Sequence, residues 1–493
     1  MRRPKYLVLS VSLIALSSCA AVPVTDATLP TPDIAANWVA TDSKTDQTSA
    51  GVQHGWLDDM NNGALTEFVD EVLANNPDFK ATSFRLAAAG YTRDVTRGNR
   101  FPTLDASFDA QRQKTAGSSP ENELSLGLDA RWEADIWGKL AANRAGADAG
   151  FQATYQDLRA ARLSLAAQVA QAWFDVVEAE AQLELSKQTV ESYEQAVRVV
   201  SNRYERGLET GLDLRLITSS LEAERANASR QRDVLDSNKR KLEILAGRYP
   251  AAGIKTAGAL PDQYEDIPLG LPMNLLEQRP DLRAAKARLL QAGYSQQSAE
   301  KDLLPSLSLT ARTGNSSSTF SDLLKFDHVF WNLMGSITQP IFQGGKLRNA
   351  ARAQQELFEA EKQVFAQTVL AAFQEVENAL SAERSLKSRV KHTARAAENA
   401  VAARDVALDQ YSRGLIKITV VLESQRQSLN QQSLLLSVKK QRINNRIALH
   451  LALGGDFTKD EDTQTLSDAG ADAAQVSMAA EKTGTHLNEG NAL

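Results

Sequence analysis

Apolar positions recur along this chain with two different periods, and the switch between them happens twice. Leu65, Phe68, Val69, Val72 and Leu73 form one helical stripe, broken at Asn75-Asn76-Pro77, and a second helix runs to about Arg100 before Phe101-Pro102 stops it. The period then becomes two. Leu104, Ala106, Phe108 and Ala110 alternate with Asp105, Ser107 and Asp109. After a polar stretch from Gln111 to Asn122, Leu124, Leu126, Leu128, Ala130, Trp132 and Ala134 alternate with Ser125, Gly127, Asp129, Arg131, Glu133 and Asp135. These are two strands with one apolar and one polar face. The helical period returns from about Lys139 to Tyr204, a length on the order of 100 Å at 1.5 Å per residue. Val169, Val176, Leu183, Val190, Val197 and Tyr204 recur in heptads, with Leu165, Ala172, Ala179, Tyr193 and Val200 on the adjoining stripe, which is coiled-coil spacing. At Arg206-Gly207-Leu208 the chain turns and returns to about Gly247, the glycine supplying the left-handed residue that ends a helix.

The whole series then repeats. Tyr204-Glu205-Arg206-Gly207-Leu208 comes back 207 positions later as Tyr411-Ser412-Arg413-Gly414-Leu415, and Gly138-Lys139-Leu140 and Gly247 return as Gly345-Lys346-Leu347 and Gly454 at the same offset. Upstream the offset is 203: Pro77-Asp78 matches Pro280-Asp281, Gly90-Tyr91 matches Gly293-Tyr294, and Pro102 matches Pro305. The chain is a duplicated unit whose second copy carries four extra residues between Pro305 and Gly345. The second copy repeats the strands, with Leu307, Leu309 and Ala311, then Trp331, Leu333, Gly335 and Ile337. Its long helix, Lys346 to Tyr411, keeps the heptad less strictly: Val369, Val376 and Val390 fit, while Glu383 and Arg404 interrupt.

Strands of about ten residues with this dyad pattern match transmembrane barrel strands. The same alternation fits a half-buried soluble hairpin, and with it a lipid-anchored periplasmic coiled-coil scaffold. Four strands cannot enclose a lumen, since the smallest outer-membrane barrels use about eight. The membrane reading therefore requires several chains to share one barrel.

The ends add a location. Arg2, Arg3 and Lys5 precede an apolar run from Tyr6 to Leu16 that is too short for the roughly 20 residues of a membrane-spanning helix, so it reads as an export signal. It ends in Leu16-Ser17-Ser18-Cys19, and Cys19 is the only cysteine of the 493 residues, which excludes disulfides. The tetrapeptide resembles the bacterial lipobox, whose cysteine is lipidated and becomes the first mature residue; a plain signal peptide with an incidental cysteine is the other reading. Ala20 after the cysteine resembles lipoproteins sent to the outer membrane. An arm rich in Thr, Asp, Ala and Pro follows, with Trp38 as its one foothold, and the stretch beyond Gly455 is acidic, without periodicity and expected to be disordered. The formal charge is -6 and becomes more negative once Arg2, Arg3 and Lys5 are removed, which disfavours a nucleic-acid partner.

Enzyme chemistry finds no foothold. His54, His328, His392, His450 and His486 are scattered without metal-pair spacing. Gly344-Gly345-Lys346 is followed by Leu347 rather than the Ser or Thr of a phosphate loop, and no nucleophile elbow occurs. No cofactor, metal or catalytic residue is expected. Trp132 to Asp135 reads as a strand end entering a helix.

Trp132-Glu-Ala-Asp-Ile-Trp-Gly-Lys-Leu140, Gln278-Arg-Pro-Asp-Leu-Arg283, Gln339-Pro-Ile-Phe-Gln-Gly-Gly-Lys-Leu347, Tyr411-Ser-Arg-Gly-Leu415 and Leu422-Glu-Ser-Gln-Arg426 resemble the signature stretches of the TolC-like outer-membrane efflux family, in its lipidated OprM and NodT-type branch. The match spans about residues 55 to 455. The resemblance implies an α+β membrane protein: a homotrimer with one 12-stranded transmembrane β-barrel, four strands per chain, continuous with a long periplasmic α-helical barrel. The corresponding division of the chain is 1–18 signal peptide, 19–62 lipidated arm, 63–254 first repeat, 255–270 linker, 271–455 second repeat and 456–493 tail. The implied function is the passive exit duct of a tripartite efflux system, conducting small molecules from an inner-membrane pump of the RND type through a periplasmic adaptor. Type I protein secretion is the rival within the same family. The resemblance also places a periplasmic gate after the second turn, with its acid at Glu423 and its arginine at Arg426. The usual aspartate is here a glutamate, and the usual apolar ring residue is Thr419. It makes the two turns, Arg206, Gly207, Leu208 and Arg413, Gly414, Leu415, the tips that meet the adaptor, with Ile416 and Ile418 expected as exposed apolar residues beside the second.

Overall fold

The computed structural model of the protein describes residues 38–40, 55–57, 60, 62–117, 119–261, 272, 275–323, 325 and 329–455. Cys19, the apolar leader, most of the arm and the tail lie outside the described residues. The first repeat runs α1 (Gly63–Asn75), α2 (Pro77–Gly98), β1 (Thr103–Gln113), β2 (Glu121–Ala134), α3 (Lys139–Glu205) and α4 (Gly211–Leu245). The second runs α5 (Leu275–Gln278), α6 (Pro280–Lys301), β3 (Ser306–Ser317), α7 (Phe320–Leu323), β4 (Phe330–Thr338), α8 (Lys346–Ser412) and α9 (Ile418–Leu453). Both long helices have 67 residues, as the periodicity predicts. Most of the extra length of the second repeat lies between β4 and α8, where 339–345 replaces 135–138.

The chain divides into two compact units, which are described separately. The unit formed by 86–155 and 284–367 holds the sheet, antiparallel throughout and ordered β1-β2-β3-β4. Its register pairs Phe108 with Leu126, Leu126 with Asn315, and Ala311 with Leu333, so the apolar sets of all four strands fall on one face. Where β2 enters α3, the Asp135 carboxylate accepts hydrogen bonds from the backbone N–H groups of Leu140 and Ala141 at 3.0 and 2.7 Å, satisfying donors that a helix start leaves orphaned. Trp132 and Trp137 donate from Nε1 to the carbonyls of Arg100 and Pro305. The Trp132–Leu140 motif is thus a strand-to-helix joint.

The other unit contains the distal parts of the long helices. Its main core collects Trp56, Leu65, Val69, Val72, Val169, Val176, Leu183, Leu242 and Ile447, burying the heptad positions 169, 176 and 183 of α3. Each fully buried side chain of this kind is worth about 1.5–3 kcal/mol. A separate apolar cluster near the turns holds Tyr193, Val200, Ile217, Tyr411, Ile418 and Val421. Asn76, ahead of α2, accepts from Phe79 N and donates to Leu245 O, both at 2.9 Å, while Pro77 takes the first helical position. The arm's predicted foothold is present: Trp38 is buried against Phe373, and the N–H groups of Val39 and Ala40 donate to the Glu377 carboxylate at 2.8 Å.

Candidate duct lining, gate and tips

The register assigns every strand residue to a face. The apolar face carries Leu104, Phe108, Leu126, Leu128, Trp132, Trp331, Leu333 and Ile337, all exposed in the single chain. The opposite face carries Asp105, Asp109, Asp129, Arg131, Glu133 and Arg312. There Ser107 donates to the Asp129 carboxylate at 3.3 Å, and Arg312 lies 3.5 Å from it. A sheet with one greasy and one charged face suits a wall between lipid and a watery lumen.

Both turns close in the same way. Gly207 and Gly414 take φ of 72° and 77°. Leu208 N donates to Arg203 O and Gly207 N to Tyr204 O, while Leu415 N donates to Gln410 O and Gly414 N to Tyr411 O, each at 2.9 Å. This bonding satisfies the terminal carbonyls of α3 and α8 and needs the left-handed residue that glycine supplies. Arg206, Leu208, Arg413 and Leu415 are exposed. Ile418 corrects the sequence reading: it is only 1% exposed and belongs to the apolar cluster of the turns, with Ile416 packed against it. As the first residue of α9, Ile418 turns inward onto the helices beside it, while Leu208 and Leu415 stay on display at the turns.

Thr419, Glu423 and Arg426 stand on an exposed side of α9. Thr419, Val420, Glu423, Ser424 and Gln427 line a shallow depression there. Within the chain Arg426 donates to Glu423 Oε2 at 2.6 Å through Nη2, and that carboxylate raises the guanidinium pKa.

Several residues for which the sequence suggested no contact organise the same unit. Arg203 donates to Glu209 at 3.1 Å and lies over the ring of Tyr411, whose hydroxyl donates to the same Glu209 oxygen. The two turns are thereby tied together. Arg279, buried in the Gln278–Arg283 motif, donates to Asp281, Glu375 and Ala452 O. Glu383, which broke the heptad, accepts from Arg442 and Arg446. A heptad break by a charged residue was a readable signal; its partners, tens of residues away, were not. Among the described residues no group of three His, Cys, Asp or Glu side chains could hold a metal ion, and no helix is long and apolar enough to cross a membrane.

Comparison with known proteins agrees with this geometry. The sequence profile of the outer membrane efflux protein family matches residues 68–248 and 271–455. The toluene efflux pump outer membrane protein TtgF of Pseudomonas putida is 26% identical over 468 residues, covering 92% of this chain and 97% of the relative. The cation efflux system protein CusC of Escherichia coli is 27% identical over 410 residues, covering 82% and 88%. Among solved structures, the outer-membrane channel OprN superposes with a TM-score of 0.80 at 25% identity, covering 87% of this chain and 98% of that one.

Proposed function

The chain belongs to the outer membrane efflux protein family and is an efflux duct of the outer membrane with the TolC-like channel fold, and from that premise we propose that three copies close one twelve-stranded barrel and pass small toxic molecules outward. The observation that carries this reading is the sheet itself. Among the described residues β1 and β4 each pair on one side only, so a sheet with an apolar and a charged face is left with two edges that further strands must satisfy. The partners proposed are two further copies, a periplasmic adaptor and an inner-membrane pump of the RND type, with Cys19 lipidated in the outer membrane. TtgF and CusC are named for toluene and cation efflux, cargoes so unlike that only the class of small molecules is carried over to this chain. The two repeats are proposed to span 63–254 and 271–455.

In this reading Glu423, Arg426 and Thr419 narrow the periplasmic end of the duct. Their exposure on one side of α9 supports it, because a ring of such side chains from three copies would face a common axis. Leu208 and Leu415, exposed beside Arg206 and Arg413, would meet the adaptor, and Gly207 and Gly414 hold the turns that present them. The test is single-channel conductance of the purified protein in a planar bilayer, with and without Glu423→Ala plus Arg426→Ala. A weakly conducting wild type and a markedly more conductive double variant are expected. Equal conductance removes these residues from the gate, and a membrane-inserted trimer that conducts in neither form removes the duct.

A further inference from the structure

The two repeats finish the sheet differently at the end away from the long helices. β2 begins at Glu121, but β4 begins only at Phe330, and ahead of it the chain forms α7 and packs it against β2 and β3. Asn315 holds it there. This residue lies one step beyond the last β3–β4 pair, Gly314 with Phe330, and opposite Leu126 on the apolar face. Its amide nitrogen donates toward the carbonyl oxygens of Asp322, Leu323 and Lys325 at 3.3, 2.8 and 2.6 Å. Leu323 is 3% exposed, and Thr319 and Lys325 each bond the Asp322 carboxylate, at 2.9 and 2.7 Å. The segment is a docked helical turn with an apolar side left over: Phe320 is 61% exposed, and Trp331 stands exposed on the same face at the same end.

We propose that α7 is an interfacial foot, resting at the boundary between headgroups and acyl chains in the outer leaflet, with Phe320 and Trp331 in the apolar layer and Thr319, Ser321 and Lys325 toward the headgroups. Two observations select lipid over a second copy of the chain. α7 covers β2 and β3, the middle strands, whereas a second copy joins the sheet at β1 or β4. Its surface also continues, through Leu126, Leu128 and Trp132, into the apolar face that the barrel turns to the membrane. The turn between β1 and β2 differs: Lys114, Thr115, Ala116 and Gly117 offer no large apolar side chain.

The inference rests on the barrel reading, and the experiment separates the two. Phe320→Cys, Leu128→Cys and Ala116→Cys full-length chains are spin-labelled, with the parent chain as the Cys19 background. They are then reconstituted in phosphatidylethanolamine and phosphatidylglycerol vesicles. Collision with dissolved oxygen is compared with collision with a water-soluble nickel chelate. The oxygen-to-nickel ratio at 320 is expected several-fold above that at 116 and close to that at 128. Adding Asn315→Ala should bring the ratio at 320 down to the value at 116. A ratio at 320 equal to that at 116, while 128 remains lipid-exposed, overturns the foot and leaves the barrel standing. Protection of 320 from both reagents overturns it in favour of a protein contact. A water-like ratio at 128 overturns barrel and foot together.

Discussion

Glu243 and His450 occupy matching places in the two repeats, 207 residues apart and each four residues before the glycine that ends its helix. Both are buried, and the protein meets the cost of burial in opposite ways. Glu243 keeps its charge: burial works against it, but the N–H groups of Ala252, Gly253 and Ile254 donate to the carboxylate at 2.7, 2.7 and 3.1 Å and lower its pKa. His450 gives its charge up. It stacks on Trp56, and neither ring nitrogen has a hydrogen-bond partner among the described residues. Burial, helped by Arg446, pushes its pKa down to about 4. Duplication preserved the helix ending and left the group beneath it free to change, so long as its charge was either fully satisfied or absent.

The largest effect is expected at Glu243. Glu243→Ala strands the donors of the 252–254 turn and should cost about 3–4 kcal/mol in chemical unfolding, because hydrogen bonds to a charged acceptor contribute about 1.5–3 kcal/mol and buried orphan donors add to the loss. Glu243→Gln, which can still accept, should recover part of it. A cost below about 1 kcal/mol would mean that water replaces the carboxylate and that the turn is not held from inside.

The next effect is a pH dependence confined to the second repeat. The folded pKa of His450 lies below its unfolded value of about 6.5, so on acidification the unfolded chain takes up a proton that the folded chain refuses. The contribution of neutral His450 is complete above pH 6.5 or so and declines toward pH 4, by at most about 3 kcal/mol. His450→Leu should flatten stability across that window in proportion. An unchanged acid limb in the variant would assign the loss to other groups.

The turns repeat the lesson at smaller scale. Tyr204 and Tyr411 come from the same motif, yet Tyr204 is 45% exposed and Tyr411 only 2%. Tyr411 belongs to the apolar cluster of the turns and Tyr204 does not, and Arg203 and Glu209 reach from the first turn to the second tyrosine. Burial and the nearby Glu209 carboxylate raise the Tyr411 phenol's pKa, so it stays protonated and able to donate. Glu209→Ala should cost roughly 2 kcal/mol, and Tyr204→Phe close to nothing. If both variants melt alike, the bond between the turns is solvent decoration.

What the sequence made legible follows from this. Strand faces, both long helices and the glycine at each turn were readable, since a period of two, a heptad and a left-handed residue are local demands of the backbone. The pattern could also align Glu243 with His450, but not tell that one lies under a loop and the other against Trp56. Ile418 was read as exposed for the same reason: at the first position of a helix no period yet says which way a side chain faces. The bonds from Arg203 to Tyr411 and from Glu383 to Arg442 and Arg446 depend on which helices become neighbours, and no short window of sequence contains that.

The smallest effect separates the starts of the two returning helices. α4 opens with a reciprocal cap, in which the Thr210 hydroxyl accepts from Asp213 N and the Asp213 carboxylate accepts from Thr210 N, both at 3.2 Å. α9 opens at Lys417, which makes no side-chain cap and sets a positive charge at the positive end of the helix dipole. Thr210→Ala should therefore lose about 1 kcal/mol, and Lys417→Asp should gain about the same by supplying a cap and reversing the charge. The pair of variants reads the comparison in both directions from melting temperatures. If Lys417→Asp gains nothing while Thr210→Ala still loses, the start of α9 is already fixed by the burial of Ile418, and the second turn has exchanged a polar cap for an apolar one.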